Sequence, residues 1–98
     1  MQYEFHPKAE REFIEQAAYY ESEMVGLGDR FAREVERVVE LLLEHPESGG
    51  LIDAHLRHFV LRRFPHSIIY SVIGKTLVIV AVAHAGREPG YWRSRSND

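Results

Sequence analysis

The side chains best suited to chemistry lie in the last third of the chain, close to two short apolar runs. His84 ends the second run, and Arg87, Tyr91 and Trp92 follow it closely. A histidine titrates near neutrality and can transfer a proton. An arginine can bind a phosphate through two parallel N–H groups, and aromatic rings can stack on bases. These residue types predict a surface that handles a phosphate-containing ligand, with His84, Arg87 and Tyr91 as candidate catalytic residues.

Each of these residues also has a structural interpretation. His84 could fix the turn after its strand, and Arg87 could pair with the neighbouring Glu88. Tyr91 and Trp92 could pack the C-terminal tail against the core, which is a common role for a lone tryptophan near a chain end. On sequence alone the two interpretations stay open.

Further arginines could complete a phosphate site. Arg62 and Arg63 lie just before the first apolar run. Because successive strand residues face opposite ways, one of them could reach the site while the other is solvated or pairs with a helix glutamate. Arg57 and Arg93, together with Trp92, are predicted to contact the bound ligand.

Other kinds of site are excluded or disfavoured. The chain has no cysteine, so it has no thiolate nucleophile, disulfide or cysteine-based metal site. Six histidines are present, but His55 and His58 would face opposite sides of a strand, and no spacing matches a metal-binding pair on a helix. No glycine-rich phosphate loop appears, and no acid completes a triad with Ser67 or Ser71. We therefore expect no metal and no cofactor.

Length and composition predict one small domain. The chain of 98 residues suffices for one core, so we expect a single domain over residues 1–98. Its N-terminus lacks a basic segment followed by an apolar one, and no apolar run approaches the ~18 residues of a membrane span. We expect a cytoplasmic protein that does not enter a membrane.

Charge is distributed unevenly along the chain. Residues 1–54 contain 5 Lys and Arg against 13 Asp and Glu, a net charge of −8, whereas residues 55–98 contain 7 against 2, a net charge of +5. Such asymmetry indicates two surfaces with different partners. Solvated glutamates on helices are the alternative explanation for the acidic half.

The first half of the chain reads as a strand followed by a helix hairpin. Residues 2–5 alternate between polar and apolar, as a strand does. Residues 7–24 carry apolar side chains at helical spacing after Pro7, which suits a first helical turn. Gly26 is a natural left-handed break, and Asp29 opens a second helix that ends before Pro46. Its apolar stripe contains Phe31, Val35, Val38 and Leu42.

The second half is predicted to form a three-stranded antiparallel sheet after a loop at residues 46–53. Residues 55–63 read as one strand, and residues 67–73 and 76–83 form a hairpin if Gly74-Lys75 is its two-residue turn. This register sets Val72 opposite Leu77, Tyr70 opposite Ile79 and Ile68 opposite Ala81, on the face that takes the helices. Ser67, Ser71 and His84 would share the open face, unless the register slips by one residue. The predicted fold class is α+β.

Two segments resemble the RelE/ParE superfamily of toxins from type II toxin–antitoxin systems, which includes many plasmid-stabilisation proteins. They are residues 61–70 (LRRFPHSIIY) and residues 81–92 (AVAHAGREPGYW). They are similar to the family segments RRFPY-x-I-x-Y and AVAH-x-x-R-x-P-x-Y-W, with His66 where tyrosine is usual. The resemblance covers nearly the whole chain and implies the same α+β fold.

The resemblance implies two different activities. RelE-like members cut messenger RNA on the ribosome with basic and tyrosine side chains, whereas ParE-like members poison DNA gyrase without chemistry of their own. Both kinds are neutralised by a small antitoxin, which the basic half of this chain should attract. We expect a growth-inhibiting endoribonuclease as the first hypothesis, with a gyrase poison and a non-toxic, antitoxin-binding remnant as alternatives.

Residue roles can be carried over from the ribonuclease members position by position. Arg87 falls near a functional arginine of those members and would stabilise the phosphorane. The role of His84, which would move the proton, follows from its own chemistry and not from the family. Arg62 or Arg63 would hold the phosphate, and the tail aromatic of those enzymes corresponds loosely to Tyr91 or Trp92. The lysines of the ribonuclease members have no counterpart here, which keeps the gyrase hypothesis open.

Overall fold

Five strands form one mixed sheet, and a helix hairpin packs against one of its faces. This arrangement comes from a computed structural model that describes residues 1–97. The elements in chain order are β1 (Gln2–Phe5), α1 (Pro7–Glu23), α2 (Leu27–Glu44), β2 (Gly50–Leu51), β3 (Arg57–Val60), β4 (His66–Ile73) and β5 (Thr76–His84), with short 3-10 turns at Pro46–Ser48 and Arg93–Asn97. The spatial order is β1-β5-β4-β3-β2, and β1 runs parallel to β5. The predicted α+β class is confirmed.

The helix hairpin follows the signals in the sequence closely. Pro7 begins α1, and Gly26 adopts a left-handed conformation (φ 90°) between the helices. The carboxylate of Glu21 accepts hydrogen bonds from the N–H groups of Gly26 and Gly28, at 3.0 and 3.1 Å. The tight connection folds α2 back on α1, and the apolar stripe predicted for α2 is buried as expected: Phe31, Val35, Val38 and Leu42.

The sheet is larger than the sequence indicated. The segment predicted as a loop at residues 46–53 contributes the short edge strand β2, which pairs with β3. β1 also joins the sheet, at its opposite edge beside β5. The strand predicted over residues 55–63 is shorter, since β3 ends at Val60, and Arg62 and Arg63 lie beyond it. Two-residue strands carry too little pattern to be recognised from sequence.

One irregularity in β5 changes the face of its last residues. Two predicted cross-strand pairs are confirmed, Val72 with Leu77 and Tyr70 with Ile79. The third is wrong, because Ile68 pairs with Val82 rather than Ala81. Between these pairs Val80 is an extra residue on β5, which is a β-bulge.

The bulge therefore reverses the side-chain alternation from Ala81 onward. Val82 packs in the core beneath the helices, whereas Val80 and Ala81 both pack on the other face. His84, two residues after Val82, faces α1 rather than sharing the open face with Ser67 and Ser71. The predicted grouping of these three residues is wrong for this reason.

Both faces of the sheet carry apolar clusters. The larger cluster lies under the helices and includes Phe31, Ile68 and Tyr70. A smaller cluster on the second face is closed by the C-terminal tail: Leu56, Ile69, Val80, Ala81 and Trp92. The tail thus covers one end of the face that the sequence predicted to be open.

Candidate functional site

Glu12 is the centre of the cluster that the C-terminal tail brings to the sheet end. Its carboxylate accepts the Tyr91 hydroxyl at 2.6 Å and both terminal nitrogens of Arg95 at 2.9 Å. It also accepts the Val82 N–H at 3.0 Å, across the position where β5 passes α1. Arg95 donates a further hydrogen bond to the Val80 carbonyl at 3.1 Å. A helix residue thereby holds the tail against the bulged strand.

The electrostatics of this cluster keep Glu12 charged and Tyr91 protonated. Burial alone would raise the pKa of Glu12, but hydrogen bonds from Arg95, Tyr91 and the Val82 N–H outweigh it and lower that pKa below 4.5. Burial and the bond to Glu12 raise the pKa of Tyr91 well above its ordinary value. At neutral pH the Tyr91 hydroxyl is protonated and donates to Glu12.

Arg87 and His84 lie at the rim of the same cluster. The Arg87 guanidinium stacks 3.8 Å above the Tyr91 ring, and its Nη1 is 4.0 Å from Glu12 Oε2. His84 Nδ1 accepts the Gly86 N–H at 2.8 Å, which is the turn-fixing role. With Glu12 and Tyr91 they line a depression of about 320 Å³. Three predicted catalytic residues are thus neighbours, around a carboxylate that sequence reasoning missed.

A buried histidine lies directly beneath His84. His66 is only 2% exposed, and its ring centre is 5.0 Å from that of His84. Its Nε2 is 3.0 Å from the side-chain oxygen of Gln16, while its Nδ1 has no hydrogen-bond partner among residues 1–97. Burial and the neighbouring His84, opposed by Glu12, lower the pKa of His66 to about 4. His66 is therefore neutral at physiological pH.

The predicted ligand-contacting residues have structural partners. Trp92 is 6% exposed within the second apolar cluster, so it is not positioned to stack on a base. Arg57 donates to the carbonyls of Glu47 and Gly49 at 3.2 and 2.7 Å, which holds the turn before β2. Arg93 lies 3.6 Å from Asp53.

Arg62 and Arg63 lie apart from the Glu12 cluster. They line a second depression of about 470 Å³ against α2, whose lining shares no residue with that of the first. The Arg62 N–H donates to Glu34 at 2.6 Å. Neither of the two arginines lines the depression beside Arg87 and His84, in contrast to the predicted arrangement.

Sequence reasoning missed Glu12, Arg95 and His66. Glu12 follows the buried Ala9 by three positions, which places it on the flank of the buried face of α1. That spacing is the one sequence signal that could have singled it out among many glutamates. Nothing in the local sequence indicated that a tail arginine would reach it across 83 positions.

Some sites are absent from the part of the chain that the structure describes. Residues 1–97 contain no group of three or more histidines or carboxylates that could hold a metal ion. In the same residues no helix is both long and apolar enough to cross a bilayer.

Comparison with protein families gives a match over most of the chain. Residues 3–89 match the family described as the ParE toxin of the type II toxin–antitoxin system parDE. The chain belongs to this ParE toxin family. It is therefore a member of a toxin family of type II toxin–antitoxin systems, and the predicted RelE/ParE superfamily membership is confirmed. Membership also supports the predicted antitoxin partner.

A solved structure shows the same fold. A chain from "Chromosomal ParDE TA system from P. aeruginosa" superposes with a TM-score of 0.62 at 20% identity, covering 86% of this chain and 95% of that one. At this identity the match bears on the fold alone. No curated protein matches the chain.

Proposed function

We propose that this ParE-family chain is a toxin that acts by binding and poisoning DNA gyrase, without chemistry of its own. Membership of the ParE toxin family supports the toxin role. The choice of target rests on the resemblance to ParE-like members and on the chemistry of the Glu12 cluster. This proposal reverses the order of the two hypotheses drawn from the sequence.

The observation that carries the proposal is the position of Glu12. RNA cleavage by a 2′-hydroxyl requires positive charge on the developing phosphorane, a base and an acid. Here the ionised carboxylate of Glu12 lies 4.0 Å from the Arg87 guanidinium. The Tyr91 hydroxyl donates a hydrogen bond to the same carboxylate at 2.6 Å. The Glu12 carboxylate therefore offsets part of the positive charge that a phosphorane would need, and its hydrogen bonds hold the C-terminal tail on the sheet.

Two assays on the purified protein would separate the targets. The first mixes the protein with DNA gyrase and supercoiled plasmid and measures double-strand breaks after detergent and protease treatment. The second adds it to a reconstituted translation system and maps message ends by primer extension. We expect stabilised double-strand breaks in the first assay and intact messages in the second. Addition of the antitoxin should abolish the breaks.

A double substitution provides the matched test of catalysis. Loss of an acid–base residue typically costs about 10²–10⁴-fold in rate, so His84→Ala with Arg87→Ala should abolish growth arrest by a ribonuclease. A binding toxin should lose less than about tenfold in potency, since both residues are at a surface rim. Arg11→Ala, an exposed change on α1, controls for loss of charge. Message cleavage that disappears in the double variant would refute the proposal.

Ribosome-dependent cleavage is the second candidate because His84 and Arg87 line one depression. If neither assay responds although the antitoxin binds, the chain is the non-toxic remnant considered from the sequence. That outcome would also refute the gyrase proposal.

A further inference from the structure

A second cluster of arginines lies far from the tail, between α2 and the segment before β4. We name it the arginine depression, and it measures about 470 Å³. Its lining consists of five arginines, one glutamate and two apolar residues: Arg30, Arg33, Arg37, Arg62, Arg63, Glu34, Leu27 and Phe64. It is a positively charged site to which both α2, in the acidic half of the chain, and the segment before β4, in the basic half, contribute arginines.

Internal ion pairs use only part of this positive charge. Arg37 forms a bidentate pair with Glu34 at 2.8 and 2.9 Å, and Arg33 pairs with Asp29 at 2.8 Å. Among residues 1–97, the guanidinium groups of Arg30, Arg62 and Arg63 have no carboxylate within ion-pair distance, although the charge of Arg62 acts on Glu34 at longer range. Three cations are therefore available to a ligand at one site.

The floor of the arginine depression is apolar and firmly held. Phe64 packs its ring 5.1 Å from Tyr20 and 5.2 Å from Phe31, both in the helix hairpin. Leu27, the first residue of α2, is partly exposed beside it. An apolar floor inside a cationic rim fits a ligand that combines an apolar group with negative charges.

Glu34, the one acidic residue of the lining, distinguishes between kinds of anionic ligand. Glu34 is only 11% exposed on its side chain, and hydrogen bonds from Arg37 and from the Arg62 N–H lower its pKa, although burial opposes this. A fixed carboxylate within the lining repels a polyphosphate backbone. A peptide can avoid this repulsion, because its carboxylates and its apolar side chains alternate in position and can be spaced around Glu34.

We propose that the arginine depression binds an acidic segment of the antitoxin. An apolar side chain of that segment would lie on Phe64 and Leu27, and its carboxylates would pair with Arg30, Arg62 and Arg63. Arginine suits this role because its planar fork binds carboxylates bidentately. The inference rests on family membership and charge complementarity, not on the gyrase proposal. It places the antitoxin contact where the basic half of the chain, through Arg62 and Arg63, meets α2.

Binding can be measured with a defined probe and with the antitoxin itself. The probe is a short fluorescein-labelled peptide that repeats Glu-Leu-Glu. Its fluorescence anisotropy is measured as the full chain is added. We expect binding that weakens with added salt, as charge pairs at a surface do. Arg30→Glu combined with Arg62→Glu should weaken binding of the probe and of the antitoxin by about tenfold or more, since a charge-assisted bond contributes about this much.

Matched variants and ligands make the test decisive. Arg11→Glu with Lys8→Glu imposes the same charge change on exposed residues of α1 and should alter binding by less than about twofold. Circular dichroism checks that every variant is folded. An equal loss in the α1 control would overturn the proposal, as would tighter binding of a single-stranded oligonucleotide that displaces the peptide. Undiminished antitoxin binding by Arg30→Glu/Arg62→Glu would overturn it too.

The gyrase proposal and this one fail separately. Gyrase poisoning is measured with no antitoxin present, whereas the binding test needs no toxicity. A variant that poisons gyrase but escapes neutralisation by the antitoxin would support both.

Discussion

The Glu12 cluster and the arginine depression are both rich in arginine but differ in what their arginines bind. At the tail, Arg95 has both terminal nitrogens on the Glu12 carboxylate, and its side chain is 9% exposed. Beside α2, the guanidinium groups of Arg30, Arg62 and Arg63 have no carboxylate within ion-pair distance among residues 1–97. The first set closes the fold, whereas the second leaves charge available.

The comparison shows why residue type alone is a poor guide to function. His84, Arg87 and Tyr91 have side chains that could catalyse, yet one carboxylate from α1 engages the tyrosine and lies beside the arginine. Arg62 and Arg63 were expected to assist that site and instead line another. Whether a charged side chain is structural or functional depends on which partner the fold brings to it.

The largest expected effect comes from removing the central carboxylate. Glu12→Gln removes the carboxylate that Arg95 and Tyr91 both bind, and breaking a buried ion pair in this way costs about 3 kcal/mol of unfolding free energy. Urea denaturation followed by circular dichroism measures the loss. Glu15→Gln, an exposed change on the same helix, should cost about 0.5 kcal/mol or less. Equal effects of the two substitutions would show that the Glu12 cluster does not hold the tail.

A smaller effect is expected from pH at the neighbouring His66. The pKa of His66 is lowered from 6.5 to about 4, so the unfolded chain binds the proton more readily. The contribution of neutral His66 to the unfolding free energy is therefore fully present above pH 6.5, and it is lost as the pH falls from 6.5 towards 4. Between about pH 7 and pH 5 the loss should be about 2 kcal/mol.

The pH effect can be assigned by substitution. His66→Gln keeps a donor that can reach Gln16 but cannot titrate, so it should flatten the dependence of unfolding free energy on pH in this window. His58→Gln, at an exposed position of β3, should leave the dependence unchanged. A steep dependence that persists in His66→Gln would mean that another group is responsible.

Most of the fold could be predicted from the sequence because its signals are local. The stripe of Phe31, Val35 and Val38, the break at Gly26 and the turn at Gly74-Lys75 each depend on a few adjacent residues. The bulge at Val80 could not be predicted, because it depends on how β5 pairs with β4 rather than on its own pattern. This one extra residue moved His84 to the other face of the sheet.

The candidate site was harder to predict because its partners are distant in sequence. The sequence pointed to the tail and to His84, and the structure brings Arg87 and Tyr91 beside it. It did not single out Glu12, because the spacing from Ala9 is the one local signal that marks this acid among 15 Asp and Glu residues. Likewise, Arg30 lies in a helix and Arg62 after a strand, and only the packing of α2 against Phe64 brings them together.

The smallest expected effect on stability comes from substituting Arg63 in the arginine depression. Arg63 is the one non-glycine residue with positive φ among those described, at 66°, a conformation that costs a residue with a β-carbon about 1–2 kcal/mol. Arg63→Gly should remove this cost, but glycine also raises the conformational entropy of the unfolded chain. We expect a net gain in unfolding free energy of about 0.5–1 kcal/mol. Arg62→Gly, one position earlier and without that conformation, should instead lose a similar amount. Thermal unfolding of the two variants measures the contrast, and anisotropy with the acidic peptide should show weaker binding by both. Chain stability and ligand binding would then change in opposite directions at Arg63 alone, as expected where a strained backbone is kept for the position of its side chain. A loss of stability in both variants would argue that Arg63 is unstrained.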